Sequence, residues 1–283
     1  MKFYMFMLGI IFSFSATAQN KRALVIGLGE QIDKSWAKIN GDKDMPYVKE
    51  MLKNAGYKNI KALVNKQATK AGIIQAFKNL TKSCKTGDIV YIHFSGHGQL
   101  VTDVNGDEDD GWDEAWIPYD AYLAYGNNDK GEKHLIDDEI NVLLTNIKNK
   151  IGLKGKILVV VDACHSGGST YSYDMNFDKK DTIEETIRGA QDEFVIPLSQ
   201  KRKSKKTQER WITLSACEDF QLNQELRKPQ VGKLTYTLYS IAKTKDISMK
   251  AIENFMAKYR SRLPQNPVLT GEKTKHKISD FLK

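Results

Sequence analysis

Hydrophobic positions fall into two kinds of pattern that alternate along the chain. Continuous apolar runs are typical of parallel strands buried on both faces. Between them, apolar residues recur with helical spacing, as in the stretch after residue 44 and the stretch that Thr69 caps. The alternation predicts an α/β fold in which a mostly parallel central sheet of about six strands carries helices on both faces. The predicted strands are residues 22–29, 60–64, 88–94, 156–162 and 211–215, with a last edge strand at 267–271.

Two of these strands are followed by residues whose side chains are suited to nucleophilic catalysis. Cys164 follows the run at 156–162, and His97 follows the run at 88–94. The carboxyl ends of parallel strands meet at one edge of a sheet, so the fold would bring this thiol and this imidazole together. A buried structural cysteine is the alternative, but Asp162 and Ser166 beside Cys164 would then lack hydrogen-bond partners in the core.

Several glycine-rich and acidic motifs follow one another along the chain. They are Ser95-Gly96-His97-Gly98, Gly106-Asp107-Glu108-x-Asp110-Gly111-x-Asp113-Glu114, Pro118-x-Asp120, Asp137-Asp138-Glu139 and Asp162-x-Cys164-His165-Ser166-Gly167. From about residue 21 onwards, the ordered set resembles the metacaspase-type members of the caspase clan of cysteine peptidases. The resemblance implies a caspase-like fold and a cysteine endopeptidase that acts on proteins or peptides.

The resemblance also implies how the catalytic residues divide the chemistry. Cys164 would attack the scissile carbonyl as a thiolate, and His97 would assist its activation and protonate the leaving amine. The backbone N–H groups of Gly98 and Cys164 would hold the oxyanion. No cofactor and no third side chain are needed for these steps. His165 is a poor base because adjacent strand residues point to opposite faces.

Acidic residues near the nucleophile indicate which substrate side chain the site would accept. Asp162 lies two residues before Cys164 and therefore on the same face of the strand. By resemblance, Asp44 lies in the specificity pocket and Asp219 belongs to a loop that lines the substrate groove. Carboxylates pair with guanidinium or ammonium groups, so Arg or Lys is expected before the cleaved bond. For Asp44, a helix N-cap remains an equally open interpretation.

The stretch 103–114 is densely acidic, and such charge runs are usually solvated loops. Its spacing matches that of EF-hand ligands, but Glu108 stands where the loop needs glycine and no flanking helices are apparent, which excludes a true EF-hand. The resemblance implies a different site, in which Asp113, Asp137 and Asp138 hold Ca²⁺. Converging carboxylate oxygens suit this hard cation.

A basic segment follows the predicted catalytic strand. Residues 171–210 have little periodicity, and segments that cannot bury apolar surface stay mobile and are nicked readily. Because the expected pocket accepts Arg or Lys, we expect self-cleavage within the linker 188–210, between a larger part (19–188) and a smaller part (211–283). A solvated basic loop, cut only by contaminating proteases, is the alternative. The candidate residues are Arg188, Lys201, Arg202, Lys203, Lys205, Lys206 and Arg210.

Residues 1–18 have the pattern of a signal peptide. A lysine precedes an apolar core, and Ala-Thr-Ala at 16–18 provides a cleavage site. An N-terminal membrane anchor is the alternative, although the apolar run is short for a permanent span. The mature peptidase domain, 19–283, is expected to be exported, either periplasmic or secreted, without stable membrane insertion.

Composition narrows the range of partners. The net charge is +8, but the basic residues are dispersed apart from the cluster at 201–206, which argues against a nucleic-acid partner. The 3 cysteines include no Cys-x-x-Cys pair, so zinc is not indicated. An odd number of cysteines in an exported protein leaves at least one free thiol. The sequence carries no signal for the oligomeric state.

Three other functions fit parts of the pattern. A cysteine phosphatase requires Cys-x₅-Arg, and Thr170 stands at the arginine position, which excludes that chemistry. A clostripain- or gingipain-like arginine peptidase would share the fold and the dyad, but the acidic motif that ends at Glu114 favours the metacaspase type. A catalytically inactive binding module is a further alternative, against which the intact Cys164 and His97 weigh.

Overall fold

The computed structural model describes residues 19–164, 187–190, 192–197, 209–219, 221–259 and 263–283. The predicted signal peptide lies outside these residues and stays a prediction. The self-cleavage candidates from Lys201 to Lys206 lie outside them as well, and so does His165, the residue that follows Cys164.

A six-stranded sheet organises the described part of the chain, with the strand order β11-β8-β7-β3-β1-β2. All neighbours in this sheet are parallel except β11, which runs antiparallel at one edge. A smaller sheet joins β4, β5 and β6, and β9 pairs with β10 as a hairpin. The strands are β1 (Lys21–Gly27), β2 (Asn59–Val64), β3 (Ile89–Ser95), β4 (Gly98–Thr102), β5 (Trp112–Trp116), β6 (Leu135–Ile136), β7 (Lys156–Asp162), β8 (Ile212–Ser215), β9 (Glu225–Arg227), β10 (Gln230–Gly232) and β11 (Val268–Gly271).

Helices cover both faces of the central sheet. The helices are α1 (Met45–Asn54), α2 (Lys70–Ser83), α3 (Asp137–Ile151), α4 (Lys233–Ile241), α5 (Met249–Met256) and α6 (Ser279–Leu282). On one face, Phe77 of α2 and Leu144 of α3 enter a core cluster with the strands. On the other, the remaining helices contribute side chains such as Val48, Leu238 and Phe281. No helix among the described residues has both the length and the apolar character needed to cross a membrane.

The α/β architecture predicted from the hydrophobic pattern is confirmed, including the edge strand near the C-terminus. Helix α1 begins at Met45, as expected, with Pro46 in its first turn, where proline is tolerated. One local detail differs. The acidic stretch is not a solvated loop throughout, because its end forms β5, in which Asp113 points inward and is 1% exposed.

The register of the sheet determines which residues meet at its carboxyl edge. Ser95 at the end of β3 lies opposite Asp162 at the end of β7. The turn before α1 approaches the same edge closely, since a Cβ atom on Gly41 would lie 2.5 Å from the carbonyl oxygen of Ser95. This close approach, which only glycine permits, brings Asp44 to the strand ends.

Candidate active site

Cys164 lies two residues beyond β7, at the carboxyl edge of the sheet. Its side chain is buried and is a free thiol. The backbone N–H of Asn223 donates to its Sγ atom, with an N···S distance of 3.0 Å. The sulfur also lies 3.9 Å from the carbonyl oxygen of the same residue, so the backbone of residue 223 fixes the position of the thiol.

His97 follows β3 and is also buried. Its Nε2 atom lies 2.8 Å from the carbonyl oxygen of Ala37; because a carbonyl only accepts, Nε2 carries the hydrogen. Burial lowers the pKa of His97 to about 4, so the imidazole is neutral near pH 7 and Nδ1 is its basic atom. Nδ1 has no hydrogen-bond partner within the described residues. The Trp36 ring packs beside the imidazole, with ring centroids 4.9 Å apart.

The chain itself places a peptide bond against the nucleophile. The carbonyl oxygen of Arg188 accepts hydrogen bonds from the N–H groups of Cys164, at 2.8 Å, and Gly98, at 3.4 Å. These are the two groups expected to hold an oxyanion. A Cβ atom on Gly189 would lie 3.0 Å from the sulfur of Cys164. The Arg188–Gly189 bond therefore lies directly beside the thiol, with its carbonyl oxygen already on two N–H donors.

Backbone pairing holds this segment on both sides of the bond. Ile187 forms an antiparallel bridge with Gln224, and Gly189 forms a parallel bridge with Gly98. The N–H of Arg188 donates to the carbonyl of residue 223 at 3.0 Å. Such strand-like addition of an extended segment is a common mode of peptide recognition.

The Arg188 side chain fills a buried acidic pocket. Its Nη1 atom lies 2.7 Å from Oδ2 of Asp44 and 3.4 Å from Oδ1 of Asp162. The same nitrogen donates to Oγ of Ser95, and Nε donates to Oε1 of Glu225 at 2.9 Å. The structure thus brings the two predicted aspartates together around one guanidinium and adds a third carboxylate.

Neighbouring donors fix the two aspartates. Asp162 accepts from the N–H of Thr235 at 2.8 Å, from its Oγ1 at 2.6 Å, and from Nδ2 of Asn223 at 2.7 Å. Asp44 accepts from the N–H of Gly232 at 2.8 Å. The pocket is therefore rigidly built rather than a loose set of surface charges.

The pKa values of the pocket residues reflect two opposing effects: burial, which disfavours charge, and the attraction between opposite charges. Burial raises the pKa of Asp44, and the attraction of Arg188 offsets this only in part. Burial acts on Asp162 in the same direction, but Arg188 and the hydrogen bonds from Thr235 and Asn223 outweigh it and lower its pKa. Burial would lower the pKa of Arg188, yet the surrounding carboxylates outweigh that effect and raise it. The pocket is suited to a permanent cation.

The structure contradicts two of the alternative interpretations of single residues. Asp44 precedes α1, but its side chain makes no cap hydrogen bond and is engaged in the pocket instead. Arg188 does not belong to a solvated loop: it is fully buried, because three carboxylates compensate its charge. Asp219 is exposed and lies outside this buried pocket, and Arg210 donates to the side chain of Asn149.

Sequence reasoning missed several residues of the site. Ala37 contributes through its carbonyl oxygen, which any residue type supplies, so no motif marks it. Asn223 contributes its backbone and its side-chain amide, but it reaches the site only through the fold. Glu225 and Thr235 stand outside the recognised motifs and reach the pocket only through the fold. Ser95 was visible in Ser-Gly-His-Gly but carried no assigned role.

A second acidic cluster lies at β5 and the loop before it. Asp103, Asp107 and Asp113 each offer a carboxylate oxygen, and these atoms lie within 4.8 Å of one another. Both carboxylate oxygens of Asp113 are buried without a hydrogen-bond partner in the part of the chain that the structure describes. Asn105 bridges the cluster to the predicted ligand Asp138 through a hydrogen bond.

The carboxylates of this cluster repel one another. Burial, followed by the charges of neighbouring carboxylates, raises the pKa of Asp113 to about 8 and that of Asp137 to about 6. Unpartnered carboxylate oxygens that converge on one point fit a hard divalent cation such as Ca²⁺. Of the three predicted ligands, Asp113 belongs to this group of converging oxygens, whereas Asp137 and Asp138 act on it through their charges. Asp103 and Asp107 were not predicted; backbone N–H groups of the loop donate to the Asp103 carboxylate.

Two solved structures illustrate which known proteins share the fold of this chain. The crystal structure of a protein from Geobacter sulfurreducens matches with a TM-score of 0.63 and 24% identity, covering 93% of this chain and 97% of that one. Caspase-1 from Spodoptera frugiperda matches with a TM-score of 0.54 and 11% identity, covering 89% and 86%. At these identities the likeness establishes the caspase-like fold alone.

Comparison of the amino-acid sequence with curated proteins and family models identifies the family within this fold. Metacaspase-1A of Aspergillus oryzae is 32% identical over 169 residues, which are 56% of this chain and 37% of the relative. Metacaspase-1 of Emericella nidulans is 30% identical over 172 residues, 57% of this chain and 39% of the relative. The chain thus spans well under half the length of these relatives. The family description "Metacaspase, peptidase C14 domain" matches residues 21–171. Since that match covers more than half of the chain and includes both His97 and Cys164, the protein belongs to the metacaspase family.

Proposed function

We propose that the protein is a cysteine endopeptidase that cleaves proteins or peptides after basic residues. One observation carries the proposal: the carbonyl oxygen of Arg188 accepts from the N–H groups of Cys164 and Gly98 while its guanidinium occupies the acidic pocket. A bound substrate needs this combination, with the scissile carbonyl at the nucleophile and the preceding side chain in a specificity pocket.

In the proposed reaction, Nδ1 of His97 first takes the proton of the Cys164 thiol, which leaves a thiolate and a protonated imidazole. The thiolate of Cys164 attacks the carbonyl carbon, and the negative charge that forms on oxygen is held by the N–H groups of Cys164 and Gly98. His97 in its protonated form then gives a proton to the departing amine, which leaves a thioester on Cys164. Water attacks the thioester while the neutral imidazole accepts its proton, and the thiolate is restored.

Self-cleavage is part of the same proposal, and the contacts of Arg188 narrow it to one bond, Arg188–Gly189. We expect the wild-type chain to be cut after Arg188. In Arg188→Gln this cut should fall at least about 100-fold in rate, because a neutral amide cannot replace a guanidinium that three buried carboxylates compensate. Mass spectrometry of the fragments after timed incubation measures the site and the rate.

Arg210→Gln is the matched control for this experiment. Arg210 is the other described candidate, but its guanidinium contacts Asn149 rather than the pocket. This variant should be cut after Arg188 at the wild-type rate. Cleavage that persists in Arg188→Gln at the same rate, or that maps only to the basic cluster 201–206, would contradict the assignment of the bond.

The proposal includes calcium. Asp113, Asp103 and Asp107, with Asp137 and Asp138 beside them, would hold the ion, which would neutralise their mutual repulsion and order the loop before β5. Support comes from the buried Asp113 oxygens, which lack partners among the described residues. The ion takes no part in bond cleavage; calcium would act by stabilising the structure around β4, which carries Gly98.

Millimolar Ca²⁺ is expected to raise the midpoint of thermal unfolding by about 3 to 8 °C relative to chelator. Asp113→Asn should abolish most of that rise because it removes a charged ligand from the centre of the cluster. Asp109→Asn, an exposed change in the same loop, should respond like wild type. The measurements are best made in a Cys164→Ala background to keep the chain intact. Equal midpoints in calcium and chelator would refute the site.

A further inference from the structure

The pocket contacts the guanidinium of Arg188 from two sides. Asp44 and Ser95 meet Nη1, and Asp162 lies near the same nitrogen. Glu225 instead meets Nε, which donates to its Oε1 atom at 2.9 Å. The terminal nitrogen and the nitrogen within the side chain are therefore held by different carboxylates.

Glu225 is positioned independently of the arginine. It is the first residue of β9 and is 8% exposed. The backbone N–H of Asn40 donates to its Oε1 atom at 2.6 Å, and the side-chain amide of Asn40 donates to Oε2. The carboxylate would therefore keep its place when the pocket is empty or holds a different side chain.

A lysine cannot make the same set of contacts. Counted from Cβ, a lysine has a methylene group where arginine has Nε, and its ammonium nitrogen stands where arginine has the guanidinium carbon. Glu225 would then face a CH₂ group, and the ammonium would end one bond short of the Nη1 position. A buried carboxylate that loses a charged donor carries a penalty that corresponds to a factor of about 10 to 100 in binding.

From these contacts we infer that Glu225 makes this site select arginine over lysine. The inference deepens the proposed function and rests on it, since general acidity of the pocket explains a preference for any basic residue but not a choice between the two. Asp44 and Asp162 attract any positively charged side chain. Glu225 accepts a hydrogen bond from the Nε–H group, which arginine has and lysine lacks.

The test compares two fluorogenic peptides that differ only in Arg or Lys before the cleaved bond. The ratio of their kcat/KM values does not depend on how much of the enzyme is active. For the wild-type full chain the arginine peptide should be favoured about 10- to 100-fold. In Glu225→Ala the ratio should fall below about threefold, mainly through loss of arginine cleavage, and Glu225→Gln, which keeps an acceptor without the charge, should lie between. Glu50→Ala, an exposed change on α1, should keep the wild-type ratio.

The outcomes separate the two proposals. An unchanged ratio in Glu225→Ala, or equal cleavage of both peptides by wild type, overturns the role of Glu225 and leaves the basic-residue peptidase standing. Loss of both activities in a folded Glu225→Ala also overturns it, because selection predicts that lysine cleavage persists; circular dichroism and thermal unfolding establish that the variant is folded. If wild type cleaves neither peptide, the proposed function itself fails.

Discussion

Replacing Cys164 by alanine is expected to leave the Arg188–Gly189 bond intact and to lower peptide hydrolysis by at least about 10⁴-fold. The variant lacks the atom that forms the thioester, while the N–H donors and the pocket remain. His97→Ala should have nearly the same effect because the leaving amine then has no proton donor. Steady-state hydrolysis of an arginine peptide and the intact mass of the purified chain measure the two effects.

Cys84→Ala is the matched control for this loss. Cys84 is also a buried free thiol, but it lies in the core at the end of α2, remote from the sheet edge. This variant should keep wild-type activity, apart from a modest loss of stability that follows from a small cavity. Normal turnover by Cys164→Ala would end the peptidase interpretation, and identical nicking in Cys164→Ala and wild type would rule out self-processing.

Asp162→Asn is expected to have the second-largest effect, on both stability and specificity. Removing one charge from a buried, hydrogen-bonded ion cluster costs about 3 to 5 kcal/mol, since the remaining groups cannot be resolvated. In a Cys164→Ala background, which keeps Arg188 in place, urea unfolding should show that loss of stability. In the active enzyme, the same change should raise KM for arginine peptides and weaken discrimination against uncharged ones.

An exposed ion pair provides the comparison for Asp162. Asp280 pairs with Lys156 at 2.9 Å, but the two side chains are 29% and 27% exposed. Asp280→Asn should therefore cost less than about 1 kcal/mol. If Asp162→Asn unfolds at the same urea concentration as Asp280→Asn, the buried cluster does not hold the segment around Arg188 as described.

Local patterns were sufficient to predict the sheet and the edge of it at which His97 and Cys164 lie. The runs that became β3 and β7 are continuous and apolar, so burial on both faces followed directly, and the parallel register then brought Ser95 and Asp162 together. Asp162 could be assigned to the face of Cys164 from the two-residue period of a strand alone. These inferences needed only short-range periodicity and the geometry of parallel strands.

The occupant of the pocket could not be predicted in this way. Arg188 lies 144 residues from Asp44 and 37 from Glu225 along the chain, and no local period encodes such contacts. From the sequence alone, Arg188 could not be distinguished from the other basic residues of an irregular linker. Its burial is decided by charge compensation within the assembled fold, as is the inward position of Asp113 on β5.

The attachment of Arg188 to its own pocket has a kinetic consequence. A ligand that belongs to the same molecule has an effective concentration set by the tether, on the order of millimolar even for flexible connections. Here bridges on both sides of Arg188 hold the tether in place, so dilution of the protein does not empty the pocket. Under the proposed function, a free arginine peptide at micromolar concentration would compete against this local excess. The intact chain would then resist external substrates in proportion to how tightly its own segment is bound.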